Sequence, residues 1–163
     1  MTAPTPTARL SPVGVKMDDP FPTTVCFAAD PDVSFWEKSV KPPGVDGGDG
    51  IETTTMFNEV YHTMAARVLK KVTNAGGKAA YDPAVLPQIV ALINVETSIT
   101  VHFPSGKTWC FYGYLKSFTP SENAFNGSQP EADFDIVVTN ADPTTRAEQA
   151  PVYHAAVGTG TGV

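Results

Sequence analysis

The side chains that most often carry chemistry are few in this sequence and poorly spaced for it. His62, His102, His154, Cys26 and Cys110 are the natural zinc ligands, yet none lie at the short spacing from which a tetrahedral site draws its donors. They read as ordinary surface or core side chains. Asp46, Asp49 and Glu52 cluster as calcium ligands do, but the oxygen alternation of an EF-hand is absent and no helix pattern flanks them, which favours a solvated turn. Gly158, Gly160 and Gly162 imitate a phosphate-cradling loop without the helix that must follow one. Glu131, Asp133 and Asp135 have the chemistry of general acids and bases, although a charged strand face is ordinarily just solvated. No Gly-x-Ser-x-Gly elbow occurs, and no serine or cysteine stands in a nucleophile motif. The sequence therefore predicts no catalytic site, no metal and no cofactor, and a protein that is not an enzyme.

What remains distinctive is a run of backbone punctuation. From Val33 to Met56 an aromatic, strand-like segment breaks into a Pro/Gly/Asp stretch and recovers into a Thr-rich one. Pro42 and Pro43 fix φ and lack an N–H, so Lys41 is held extended and the strand before it must stop. Gly44, Gly47, Gly48 and Gly50, with Val45, Asp46 and Asp49 between them, form a loop whose ordering is costly unless contacts elsewhere recover that cost. Val33 to Val40 and Ile51 to Phe57 are rich in β-branched and aromatic residues, and the simplest picture pairs them as a very long hairpin.

Composition sets the frame. The 163 residues are 42% apolar and 17% charged, enough for one globular domain with a real core. Fifteen prolines and thirteen glycines, without a period, favour many short strands with punctuated turns, hence an all-β fold with little helix. A net charge of −6 is wrong for gripping phosphate backbones, which needs clustered Lys and Arg. No apolar run approaches the roughly 20 residues that cross a bilayer. The opening MTAPTPTARLSPVG lacks the apolar stretch of a secretory signal, so the expectation is a protein kept in the cytosol with Cys26 and Cys110 reduced.

Along the chain, residues 1–22 are Pro-, Thr- and Ala-rich and read as an extended arm. Thr23 to Ala28 and Val33 to Val40 read as strands. From Asn58 to Val72 the apolar residues fall at helical spacing, while Val68 to Ala80 reads equally as a strand interrupted at Gly76 and Gly77. Asp82-Pro83 opens a helix whose stripe is Val85, Ile89, Leu92 and Ile93, ending near Asn94, and Pro87 requires its regular part to begin close by. Thr97 to Phe103 alternates as a half-buried strand, with a turn at Pro104, Ser105 and Gly106. Lys107 to Phe118 is apolar on both faces, with Trp109, Phe111 and Leu115 opposed to Cys110, Tyr112, Tyr114 and Phe118, so its second face needs another layer or a partner subunit. Glu131 to Thr139 sets Ala132, Phe134, Ile136 and Val138 against an acidic face of Glu131, Asp133 and Asp135.

Two stretches carry a family resemblance. FWEKSVKPPGVDGGDGIETTTM, and GYLKSFTPSENAFNGSQPEADFDIVVTNAD after it, resemble the major tail tube proteins of long, non-contractile-tailed bacteriophages. The most specific parts are Trp-Glu-Lys leading to Pro-Pro-Gly-x-Asp-Gly-Gly, and Asn126-Gly127-x-Gln129-Pro130 before a strand that closes at Thr139-Asn140-x-Asp142. The match runs from about Thr23 to Asp142, and Pro143 to Val163 falls outside it as a C-terminal extension.

The resemblance implies a β-sandwich or barrel-like tube fold of residues 23–142 with one flanking helix. Such subunits form six-fold rings stacked into a tube, the virion conduit for DNA, built in the host bacterial cytoplasm. It implies tail terminator, tape measure and distal tail proteins as partners, transient non-specific passage of DNA, and no membrane span. In that family the long early loop reaches a neighbouring subunit, a role that maps onto Lys41 to Gly50. Heterologous contacts and open sheet edges supply the joints of such a tube, and an acidic lumen keeps phosphates from sticking. Glu131, Asp133 and Asp135 are the candidates for that lining, with an exposed outer wall as the alternative. A tailocin or secretion-system tube shares this physics, whereas a receptor- or sugar-binding β-sandwich would instead carry a pocket lined by Trp36, Trp109 or tyrosines.

Overall fold

Short alternating runs leave each strand with one apolar face, and a sheet of such strands has to find cover for it. A computed structural model describes residues 22–33, 36–121, 127 and 129–155 of this chain. The expected N-terminal arm, apart from Pro22, the first part of the strand expected from Val33, the Asn126 signature position and the last eight residues of the expected extension lie outside the described residues. β1 (Thr24–Phe27) and β2 (Glu37–Lys41) come first. β3 (Val45–Asp46) and β4 (Ile51–Glu52) then run outwards, and β5 (Met64–Ala65) and β6 (Lys71–Val72) return. β7 (Ala75–Ala80), α1 (Leu86–Leu92), β8 (Thr97–His102), β9 (Thr108–Pro120), β10 (Glu131–Val138) and β11 (Val152–His154) complete the described chain.

The main sheet is antiparallel in the order β1-β8-β9-β10-β7-β2, with β11 added beside β9. It curls into a half-barrel, so this is the mainly-β, barrel-like fold with one helix that the sequence implies. The concave side buries Val25, Phe27, Ile99, Val101, Phe111, Leu115, Phe134 and Ile136 together with Ile89 and Leu92 of the helix. Curling brings the two edge strands towards each other, and the N–H of Val25 on β1 donates to Glu37 Oε1 on β2 at 2.6 Å. Burial pushes the Glu37 carboxyl above its ordinary 4.5, against the opposing pull of hydrogen bonds from the Val25 and Glu37 backbone.

The helix begins one turn later than the Asp82-Pro83 signal implies. Asp82 instead stabilises a turn, its Oδ1 accepting from Ala84 N at 2.9 Å, and Val85 is the N-cap with Pro87 in the first turn. Pro87 has no N–H to give and is tolerated only there. Asn94 adopts φ 62°, the left-handed conformation that ends a helix, and its N–H donates to Leu115 O at 2.9 Å, tying the helix end to β9.

Several assignments change. Glu37–Lys41 does not pair with residues 51–57 but with β7, Val40 lying opposite Gly77 and Lys41 opposite Gly76. The missing donors of Pro42 and Pro43 interrupt the ladder without turning the chain, so the hairpin continues far beyond them. Asn58 to Val72 forms no helix; its helical spacing of apolar residues reflects no buried face, because that stretch lies in the hairpin with nearly all of its side chains exposed. Gly76 and Gly77 lie inside β7, and the break falls before it, at Thr73 and Asn74. On β9 a bulge at Lys116 puts Ser117 opposite Asp135 but Leu115 opposite Ile136. The extra residue switches parity, so Phe118 pairs with Phe134 and packs against the core instead of sharing the Tyr114 face. Finally β11 joins the sheet from within the segment read as an extension.

Gly113 sits where β9 passes close to β10, and a Cβ there would run into Val137 O. Gly113→Ala is expected to cost on the order of 2–4 kcal/mol in urea unfolding, whereas Gly47→Ala, with open space around it, stays within about 0.5 kcal/mol. For Glu37 the raised folded value means that its neutral form is favoured by folding, a contribution present below pH 4.5 and lost as pH rises through the folded value. Glu37→Gln keeps an acceptor for Val25 without the charge, so its stability relative to wild type should grow between about pH 4 and about pH 7; parallel curves would remove Glu37 from this role.

Candidate functional site

The long hairpin is an arm. Its register continues from the β2–β7 pairs through Val45 opposite Val72 and Asp46 opposite Lys71. It slips by one residue before Ile51 meets Ala65 and Glu52 meets Met64. Gly48, at φ 71°, lies in that interval, and its N–H donates to Asp46 Oδ1 at 2.8 Å, so an Asp-Gly turn absorbs the slip. Thr73 and Gly44 clamp the root, Thr73 N donating to Gly44 O and Gly44 N to Thr73 Oγ1, both at 2.8 Å. Arg67 Nε donates to Asp49 O at 2.8 Å across the middle. At the tip Thr53 N donates to Thr63 O at 2.8 Å, and Asn58 closes the turn by accepting from Thr55 N at 2.7 Å. Residues 41–50 are thus one rail of the arm, and its turn lies near residues 55–61.

The arm buries almost none of its own apolar surface. Met56 is 101% exposed, Phe57 94% and Val68 92%, with Val60, Tyr61, Met64 and Leu69 also exposed. Scattered exposed apolar residues need no explanation, but this many on one projecting element fit an interaction surface. At the root of the arm lies a cavity of about 780 Å³. Val45, Val68, Leu69 and Val72 of the arm form one wall, Phe103 and Trp109 of the sheet another, and Pro151 and Tyr153 the third. The third wall is held by the pairing of β11 with the start of β9, and in the turn before it the Asp142 carboxylate accepts from Thr144 N at 2.8 Å and Thr145 N at 2.9 Å. The Thr145 and then the Thr144 backbone bonds hold that carboxyl below its ordinary range, with a smaller contribution from the Tyr112 hydroxyl, and the bond to Asp142 in turn raises the Tyr112 phenol.

Glu131, Asp133 and Asp135 lie on the convex side of β10, and lysines from three neighbouring strands interleave with them. Lys38 Nζ is 2.7 Å and Lys78 Nζ 3.5 Å from Glu131, Lys78 is 3.9 Å from Asp133, and Lys116 is 3.1 Å from Asp135. The hydrogen bond from Lys38 is the first cause that holds the Glu131 carboxyl below its ordinary value, with Lys78 adding to it. The face is a ladder of alternating charge and not an uninterrupted acidic wall.

The residues that first drew attention as chemistry are dispersed. His62 Nδ1 sits 2.8 Å from Glu52 Oε1 on the exposed arm. Cys26 and Cys110 are free, each opposite Thr100 from one side. Two strand spacings, roughly 10 Å, separate them, too far for a disulfide. Among the described residues no three His, Cys, Asp or Glu side chains gather as a metal site would need, and no helix is long and apolar enough to cross a membrane.

Sequence reasoning missed the tip, residues 56–61, and the place of the cavity, of whose lining it named only Trp109 and tyrosines in general. The signal for the tip was present as MFNEVYHTM, whose Met56, Phe57 and Val60 lie outside the helical spacing read from Asn58 to Val72. Trp109 and Tyr153 meet only because β11 pairs with the start of β9, with Tyr153 opposite Trp109.

The fold recurs in contractile injection machinery. A chain of the extended sheath–tube complex of an extracellular contractile injection system, PVC, superposes with a TM-score of 0.57 at 15% identity, covering 92% of this chain and 100% of that one. A chain of the six-fold symmetrised baseplate of the anti-feeding prophage superposes with a TM-score of 0.55 at 7% identity, covering 83% and 92%. At these identities what is shared is the fold alone. No protein-family model and no curated protein sequence matches the chain.

Asp46 and Lys71 face each other across the arm, so a two-residue Asn-Gly turn can join them in place of residues 47–70. Because the core lies in the sheet and helix, the shortened chain should unfold cooperatively with a midpoint within about 4 °C of wild type. Loss of cooperative unfolding would show that the arm belongs to the folding unit.

Proposed function

We propose that this chain is a self-assembling structural subunit of a phage-tail-like tube, working through contacts and not catalysis. The observation that carries the proposal is the arm. A chain that closes its own core and then projects Met56, Phe57, Val60, Tyr61 and Val68 into solvent needs another surface to cover them. The shared fold with chains of an injection-system sheath–tube complex and a baseplate supports this reading.

In its finer form the tube is a stack of six-fold rings, located in the particle and built in the bacterial cytoplasm, with terminator, tape measure and distal proteins at its ends. The convex face of β10 suits a lumen. Glu131, Asp133 and Asp135 already occupy Lys38, Lys78 and Lys116, so DNA phosphates meet paired charges and slide without being held. The outer wall of the tube is the competing place for this face. Whether the tube is that of a non-contractile phage tail or of an injection system turns on whether a sheath surrounds it.

A second reading, a ligand-binding module, draws on the cavity beside Trp109 and Tyr153. Negative-stain microscopy of the purified protein separates the two. Assembly predicts rings or filaments with a central channel, and a strictly monomeric protein at high concentration would exclude it in favour of the binding module.

A further inference from the structure

We infer that the arm tip of one copy seats in the cavity at the arm root of the next, a contact that rests on the assembly reading above. The two surfaces match in kind. The tip offers Met56 and Phe57, almost fully exposed, beside Val60 and Tyr61. The cavity offers Val68, Leu69, Phe103 and Trp109 around a space of about 780 Å³, room for several large side chains.

They also match in charge. Between Ile51 and Ala65 the arm carries Glu52 and Glu59 and no lysine or arginine, and His62 lies against Glu52. The root carries Lys41, Arg67, Lys70 and Lys71 against Asp46 and Asp49, and Lys70 lines the cavity. Glu148 on the far wall is the one carboxylate of the lining. An acidic apolar knob thus faces a basic apolar socket, in a chain whose overall charge of −6 would otherwise set copies apart.

The socket cannot take its own knob. Val45 at the socket and Thr53 at the tip stand eight residues apart on one rail, at most roughly 26 Å at a strand's rise, and the bonds from Thr53 N to Thr63 O and from Arg67 to Asp49 O keep the two rails paired between them. Knob and socket lie at opposite ends of one element, so the contact is heterologous and propagates from copy to copy. It accounts for the apolar surface at both ends of the arm at once.

Charge reversal tests the contact. Phe57, Glu59 and Lys70 are all solvent-facing, so their variants should fold, which circular dichroism checks. Wild type, Phe57→Ser, Glu59→Lys, Lys70→Glu and the double Glu59→Lys/Lys70→Glu would be compared by sedimentation for the concentration at which assembly sets in. Phe57→Ser should raise it about 30-fold and each single charge reversal about tenfold, with the double variant back within about threefold of wild type. If wild type assembles and the Phe57→Ser and single charge variants assemble equally well, or the double variant is no better than the singles, the contact is overturned while assembly stands. A wild-type chain that never assembles overturns both.

Discussion

One sheet must supply its own second layer, and it does so by curling. The curl places Ile99, Val101, Phe111, Leu115, Phe134 and Ile136 on a concave side small enough for one short helix to close. β9 makes this possible. Its 13 residues pair with β8 and β11 over the first part and with β10 over the second. Gly113 allows close approach to Val137 at the crossover, and the bulge at Lys116 bends the strand so that Phe118 still reaches the core. Burying an apolar residue is worth about 1.5–3 kcal/mol, so a strand that contributes three aromatic or aliphatic side chains to the core from both sides of a bend fixes the rest of the sheet.

The same curl leaves two things outside. Among the described residues no layer covers the convex face of β10, and its charges are settled within the sheet by lysines from β2, β7 and β9. Such exposed pairs contribute little to stability but remove any single-sign field from that surface. The arm is the other exclusion. It leaves the sheet at Lys41 and returns at Ala75, and its apolar side chains face solvent. Ordering it in isolation offsets little of its entropy by burial, a cost that the proposed contact with another copy would offset.

Hydrophobic alternation reports burial within the chain, and the sequence was legible wherever burial is what sets the residue. Thr97 to Phe103 and Glu131 to Thr139 came through almost unchanged, and Pro87 rightly kept the helix short. Phe118 was misplaced because one bulged residue reverses the face of everything beyond it. Asn58 to Val72 stayed ambiguous because no face of it is buried, so its periodicity had nothing to report. Trp109 and tyrosines were legible as candidate pocket residues, but not where they would meet, since Trp109 and Tyr153 are brought together by three residues of β11, too few to announce a strand. Glu37 left only a faint trace, a carboxylate next to Trp36 in an aromatic segment, and its role at the seam depends on the closeness of two edges that only the folded sheet creates.

The central claim is that the arm exists to join copies. The direct measurement is sedimentation velocity across a concentration series for the intact chain and for the chain with residues 47–70 replaced by an Asn-Gly turn. The account predicts large, concentration-dependent species for the intact protein and slowly sedimenting monomer for the shortened one at every concentration. Identical behaviour of the two chains, whether both monomeric or both assembled, would contradict it.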